Sequence, residues 1–194
     1  VAPSRGLGDV YKRQIIIIAI IVLLVIAYIA IYNGLQKAKI YTDESWSQID
    51  VQLQRRNDLI PNLVEVTKGY AKHERETLSQ VVELRNQLTQ LPEDAHAEKM
   101  EVSNQISGAL KSIFALKEAY PDLKANTEFT KLMEELSNTE NKISYSRQLY
   151  NSSVAAYNQK LKVVPSNIVA SIHGMKPVDY LTVSYTHLTL PTIA

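Results

Sequence analysis

Seventeen consecutive residues from Ile15 to Ile31, IIIIAIIVLLVIAYIAI, carry no charge. As a helix this run is about 26 Å long, near the lower limit for crossing the hydrocarbon of a bilayer. Isoleucine falls on every side of such a helix, which lipid permits and the core of a soluble bundle rarely offers. Tyr28 and Tyr32 lie at its C-terminal end, where amphipathic rings favour the membrane interface. A cleaved signal peptide has a shorter apolar stretch and an Ala-x-Ala site; here Ala27 and Ala30 stand too far apart to form one. The run therefore predicts a retained single-pass transmembrane helix over residues 15–32, with the lipid bilayer as its partner.

Two end segments differ from the rest in composition and periodicity. Residues 1–14 (VAPSRGLGDVYKRQ) and 183–194 (VSYTHLTLPTIA) both resemble translated sequencing-adapter sequence and are set aside as processing artefacts. Orientation turns on the first of them. Lys12 and Arg13, if counted, hold the N-terminus in the cytoplasm and send the rest of the chain outward. With them set aside, Lys37 and Lys39 are the nearest flanking cations and draw the following domain to the cytoplasmic side. Asp43 and Glu44 weigh little, because acidic residues count weakly in the rule.

Residues 33–182 hold one modest domain and a short extension. Cysteine is absent, which excludes disulfides, thiolate metal sites and thiol nucleophiles. The formal net charge of the whole chain is +1, with both signs interspersed, so no basic stripe offers itself to nucleic acid. Glu, Lys, Gln, Leu and Ala dominate, and all are good helix formers.

Three breaks punctuate the domain. Asn57-Asp58 with Pro61 fits a turn and a new helix, Asp58 serving as N-cap and Pro61 lying in the first turn. Leu91-Pro92-Glu93-Asp94 marks the second break and Tyr120-Pro121-Asp122 the third. Helices near 33–57, 58–90, 94–120 and 123–163 follow, ending at Pro165. Connections this short make neighbours antiparallel. The expected fold is all-α: a transmembrane helix, then an up-and-down four-helix bundle over 33–164, with 165–182 trailing as a short extension.

Heptad rows set the packing. In the fourth helix Phe129, Leu136, Ile143, Tyr150, Tyr157 and Val164 form one row, and Met133, Glu140, Arg147, Val154 and Leu161 a second. The second helix carries Ile60, Thr67, Glu74, Val81 and Leu88 beside Val64, Ala71, Leu78 and Arg85. Trp46, Ile49 and Leu53 serve the first helix, and Ile106, Leu110, Ile113 and Tyr120 the third. Arg56, Glu74, Arg85, Glu140 and Arg147 occupy positions that this pattern reserves for core. A lone buried charge is costly, so these five are expected to pair across helices as a polar seam. The seam has three readings: register-setting ion pairs, a polar pocket between helices, or a solvated edge of the bundle.

Catalytic and metal sets are missing from the pattern. A carboxylate-bridged di-metal bundle needs two Glu-x-x-His motifs and two further glutamates. This chain has one, Glu93 with His96, directly after Pro92. His73-Glu74 begins a His-Glu-x-x-His motif that Thr77 fails to complete, His173 lies beyond the bundle, and His187 lies in the set-aside tail. Neither a phosphate-binding glycine loop nor a Gly-x-Ser-x-Gly elbow occurs. The expectation is a protein without enzymatic activity, cofactor or metal.

Several stretches taken in order carry a family resemblance. YNGL at 32–35, WSQIDVQLQRRNDLIPNLVEVTKGYAKHERETL at 46–78 and SGALKSIFALKEAYPDLKANTEF at 107–129 are the first three. ELSNTENKISYSRQLYN at 135–151 and YNQKLKVVPSNIVASIHGMKP at 157–177 complete the set. Together they resemble the LemA family of bacterial membrane-anchored proteins, over roughly 15–182. The resemblance implies an N-terminal transmembrane helix, a helical bundle and a bacterial inner membrane. It implies no reaction, since the family's molecular function is not established. Some members lie beside genes for a membrane-bound heat-shock zinc metalloprotease, which suggests a class of membrane-protein partner.

These features point to a membrane-anchored helical interaction or scaffold protein of the bacterial envelope. The alternative is a bundle that binds a small molecule or metal through the Glu74/Glu140 and Arg56/Arg85/Arg147 seam. Long helices with exposed stripes can also self-associate, which makes a homo-oligomer a further expectation.

Overall fold

The computed structural model describes residues 5–181, with side chains from Asp9 onward. Every regular element among the described residues is helical: α1 (Arg5–Tyr70), α2 (Arg75–Gln90), α3 (His96–Ala119), α4 (Pro121–Ala125), α5 (Thr127–Lys162) and α6 (Ser166–Ile172). These residues divide into two compact units, one of 5–44 with 152–179 and the other of 45–151 with 180–181. Of the segments set aside as adapter-like, 1–4 and 183–194 lie outside the described residues, whereas 5–14 are part of α1.

The apolar run sits in α1 with its side chains outward: Ile15, Leu23 and Leu24 are each about two-thirds exposed. This helix is long and apolar enough to cross a membrane.

The expected turn at Asn57-Asp58 does not form. α1 passes through Pro61 and ends at Tyr70, so Asp58 is an exposed mid-helix residue rather than a cap. The buried stripe explains why. Ile49, Leu53, Arg56, Ile60, Leu63 and Thr67 alternate steps of four and three without a change of phase, and all are buried. One continuous helix presents all six on one face, and a turn at residue 57 would break that stripe. The chain turns instead at 71–74, where the Ala71 amide donates to Thr67 O and the Glu74 amide to Ala71 O.

The later breaks fall where proline places them. α2 ends just before Leu91-Pro92, and Pro121 opens the short α4. Asn126 then caps α5: its Oδ1 accepts the Phe129 amide at 2.8 Å, and its Nδ2 donates to Tyr70 Oη at 3.0 Å. The fourth expected helix is thus a five-residue turn of helix followed by α5.

Along α5 the first heptad row is buried from Phe129 to Tyr157, while Val164 lies past the helix and is 71% exposed. The second row is displaced by one residue. Leu132, Thr139, Ser146 and Ser153 are the buried set, with Val154 beside them, and Met133, Glu140, Arg147 and Leu161 flank it half-buried. Small side chains let helices approach closely. Thr139 also satisfies its hydroxyl within its own helix, donating to Glu135 O at 2.8 Å.

In the unit of 45–151, Trp46, Ile49, Leu53, Ile106, Leu110, Ile113, Leu136 and Ile143 are buried from α1, α3 and α5, joined by Leu78, Val81 and Leu88 from α2. Burial of each such side chain contributes roughly 1.5–3 kcal/mol. In the unit of 5–44 with 152–179, Leu35, Val169 and Ala170 form a core flanked by Ile31, Tyr32, Leu161 and Met175. The extension expected over 165–182 in fact carries helix α6 at Ser166–Ile172. Gly174 ends it with a φ of +62°, a conformation that costs glycine little. The Met175 amide reaches back to Ala170 O and the Gly174 amide to Ser171 O, the hydrogen bonds of a glycine-terminated helix.

Candidate functional site

Arg56 and Glu140 are the only two seam residues that meet each other among the described residues. Arg56 projects from α1 and is fully buried. Its Nη1 donates to Glu140 Oε1 on α5 at 2.6 Å and to Ser107 Oγ on α3 at 3.2 Å, and its Nη2 donates to Ser103 Oγ at 2.8 Å. Ser107 Oγ in turn donates to the other carboxylate oxygen of Glu140. Burial pulls the Arg56 guanidinium below its ordinary pKa, and the charge of Glu140 and its hydrogen bond push back. Both Glu140 oxygens are engaged, and three α-helices are tied at one level by charge-assisted bonds. Serines at 103 and 107, four apart on one face of α3, complete the arrangement. The sequence reading missed them; the signal was their helical spacing opposite an arginine in a core position.

The other three seam residues go elsewhere, which corrects the expectation of mutual pairing. Glu74, in the turn before α2, accepts the Tyr120 hydroxyl at 3.1 Å. Desolvation first, and then this bond and the charge of Glu74, raise the Tyr120 pKa. Arg85 donates from Nε to the Asn57 carbonyl at 2.8 Å, and Arg147 from Nη1 to Asn104 Oδ1 at 3.2 Å. Three of the five charges, Glu74, Arg85 and Arg147, are thus met by neutral partners. The seam is a set of separate internal bonds.

His96, which shares metal-ligand spacing with Glu93 in the sequence, packs among aromatic rings. It lies flat on Trp46, ring centroids 3.8 Å apart and planes 19° from parallel, with Tyr150 edge-on to both rings. Lys99, one turn along α3, pairs with Asp50 at 3.0 Å and stands 6.0 Å over the Trp46 ring. Among the described residues no three His, Asp or Glu side chains gather as a metal-ion site.

Tyr28 and Tyr32, read as interface residues, both meet His173 just past α6. Tyr28 Oη and His173 Nε2 are 2.8 Å apart, and the Tyr32 and His173 rings lie 4.4 Å apart. Lys160 Nζ donates to Gly34 O at 3.1 Å. Asn158 clamps the extended chain beyond α6: its Nδ2 donates to Val178 O and its Oδ1 accepts the Val178 amide, at 2.8 and 2.9 Å. In the other unit Asn151 holds Leu181 the same way, both bonds 2.9 Å. A side-chain amide used so imitates a strand neighbour. The sequence announces this device in its repeated Tyr-Asn at 150–151 and 157–158, which were read only for their tyrosines.

The model of the LemA family matches residues 45–194. Magnetosome protein MamQ 2 of Paramagnetospirillum magneticum is 25% identical over 203 residues, covering 92% of this chain and 75% of its own. Magnetosome protein MamQ of Magnetospirillum gryphiswaldense is similar at 25% over 204 residues, with the same coverage. Protein LemA of Metamycoplasma hominis is 29% identical over 146 residues, covering 74% of this chain and 65% of its own. With a family model spanning well over half of its length, the chain belongs to the LemA family.

Proposed function

We propose that this protein is a non-enzymatic helical scaffold, tethered to the bacterial cell membrane through residues 15–31 and presenting an up-and-down bundle of α1, α2, α3 and α5 to other membrane proteins. The observation that carries this reading is the Arg56–Glu140 network. Both carboxylate oxygens and both Nη groups are engaged with one another and with Ser103 and Ser107, and of the guanidinium nitrogens Nε alone has no partner among the described residues. A network of this kind fixes the register of three helices, a service to shape rather than to chemistry. The tether is supported by the exposed apolar run of α1, and the cytoplasmic side for the domain by Lys37 and Lys39.

The partner class is an integral membrane protein, a membrane-bound heat-shock metalloprotease being one candidate, or further copies of this chain. Cross-linking of the full-length protein in native membranes, followed by affinity purification, tests the scaffold. Recovery of a membrane protein in near-equal amount supports it. A chain recovered alone but carrying about one equivalent of iron, manganese or zinc would overturn it in favour of a metal-binding bundle.

A further inference from the structure

The segment 160–176 combines features that the tether does not use. Val163, Val164, Ile168 and Ile172 are 50–71% exposed, four large aliphatic side chains within ten residues. On α6 the inward positions are Val169 and Ala170, packed on Leu35, whereas Ile168 and Ile172 sit one turn apart on the opposite face. Lys160, Lys162 and Lys176 flank this face, and no acidic residue occurs between Glu140 and Asp179.

Contacts with α1 fix where that face lies relative to the apolar run. Val169 and Ala170 pack at Leu35, Lys160 bonds Gly34 O, and His173 bonds Tyr28. Tyr28 to Leu35 is about 10 Å along the helix axis. This is the zone in which α1 leaves its apolar run at Ile31. α6 therefore lies beside the end of the spanning stretch, its His173 end nearest the hydrocarbon, with Ile168 and Ile172 exposed there.

We propose that α6 is a second membrane contact: an interfacial helix that seats Ile168 and Ile172 among the outermost acyl carbons, with the lysines around it at anionic headgroups. The occupant of this face is the lipid bilayer, chosen because the face lies beside the end of the apolar run and because its flanking charge is of one sign. A short amphipathic helix with a basic rim is suited to this position. It makes the emerging domain stand on the membrane at two points. The inference rests on the reading of 15–31 as a span.

The chain has no native cysteine, so single labels are unambiguous. Ile21→Cys, Ile168→Cys and Ile172→Cys are each made in the full-length protein, labelled with an environment-sensitive fluorophore and reconstituted into phosphatidylcholine–phosphatidylglycerol vesicles. All three positions are exposed, so none disturbs the core. The expected result is deep quenching at 21 by nitroxides near the chain ends. Labels at 168 and 172 should be blue-shifted, protected from iodide, and quenched by nitroxides near the headgroups, 172 more deeply than 168. If 21 is in lipid while 168 and 172 are quenched by iodide like free dye, the foot is wrong and the span stands. If 21 itself is open to iodide, the span fails and the foot with it.

Discussion

Arg85 on α2 donates its Nε–H to the backbone carbonyl of Asn57 on α1 at 2.8 Å, and Asn57 lies four residues before Pro61. In an α-helix that carbonyl accepts the N–H of the fourth residue onward, which proline lacks. A side chain from a neighbouring helix thus fills the hydrogen bond that Pro61 removes. This bond answers how α1 passes a residue that usually ends or kinks a helix, and it gives Arg85 a role other than the ion pair its heptad position suggested.

Arg85→Met keeps much of the aliphatic stem and removes the donor, at an expected cost of about 1–3 kcal/mol for a stranded acceptor. In a Pro61→Ala background residue 61 supplies its own N–H, and the same change should cost clearly less. Denaturant unfolding of the four proteins forms a double-mutant cycle that reads the difference. Equal costs in both backgrounds would show that Arg85 does not serve this carbonyl.

Glu140 and Arg147 stand one heptad apart on α5, but the structure gives them unequal weight. Glu140→Ala strands a fully buried guanidinium, and breaking such a pair costs on the order of 3–5 kcal/mol. Arg147→Ala removes a half-buried bond to neutral Asn104 and should cost about 1 kcal/mol. Thermal melts of the two variants should separate well beyond error. A similar small shift for both would place Glu140 in water and remove the support for a register-setting network.

The contrast shows how far the sequence reaches. Hydrophobic period alone placed Phe129, Leu136, Ile143, Tyr150 and Tyr157 in the core, and all five are buried. It also marked Arg56 and Glu140 as core charges in need of partners. It failed at the second α5 row because Thr139, Ser146 and Ser153 read as polar, yet their small size and, for Thr139, a bond to its own backbone make them the buried set. It failed at Pro61 because Asn57-Asp58 and Pro61 carry a local turn signal that the buried stripe from Ile49 to Thr67 overrides. The meeting of His173 with Tyr28 spans 145 residues, and no local pattern carries a contact of that separation.

Tyr157 supplies a pH prediction. Burial raises its pKa; Lys39 opposes the shift and Asp43 adds to it. A phenol whose folded pKa lies above its unfolded value of about 10 stabilises the fold fully below pH 10. That contribution is lost as the pH climbs from there through the folded value. Full-length protein in detergent should therefore lose melting temperature steeply above about pH 10. Tyr157→Phe, which keeps the ring and cannot ionise, should lose less over the same range. Parallel alkaline curves for parent and variant would mean that Tyr157 ionises as freely in the fold as outside it.

The tether and its direction are tested together in cells. An integral span stays with the membrane through high-salt and alkaline carbonate washes, because neither weakens burial of an apolar helix in lipid. Full-length protein should sediment with membranes after both, and Ile21→Lys with Val25→Lys should release part of it, since each lysine at mid-helix costs about 2.5–3.5 kcal/mol on insertion scales. Protease added to intact spheroplasts should leave the domain uncut, the outcome that the proposed cytoplasmic placement by Lys37 and Lys39 requires. Lysis should then expose it to digestion. Cleavage before lysis would reverse the orientation and give the deciding charge to Lys12 and Arg13, at the other end of the apolar run.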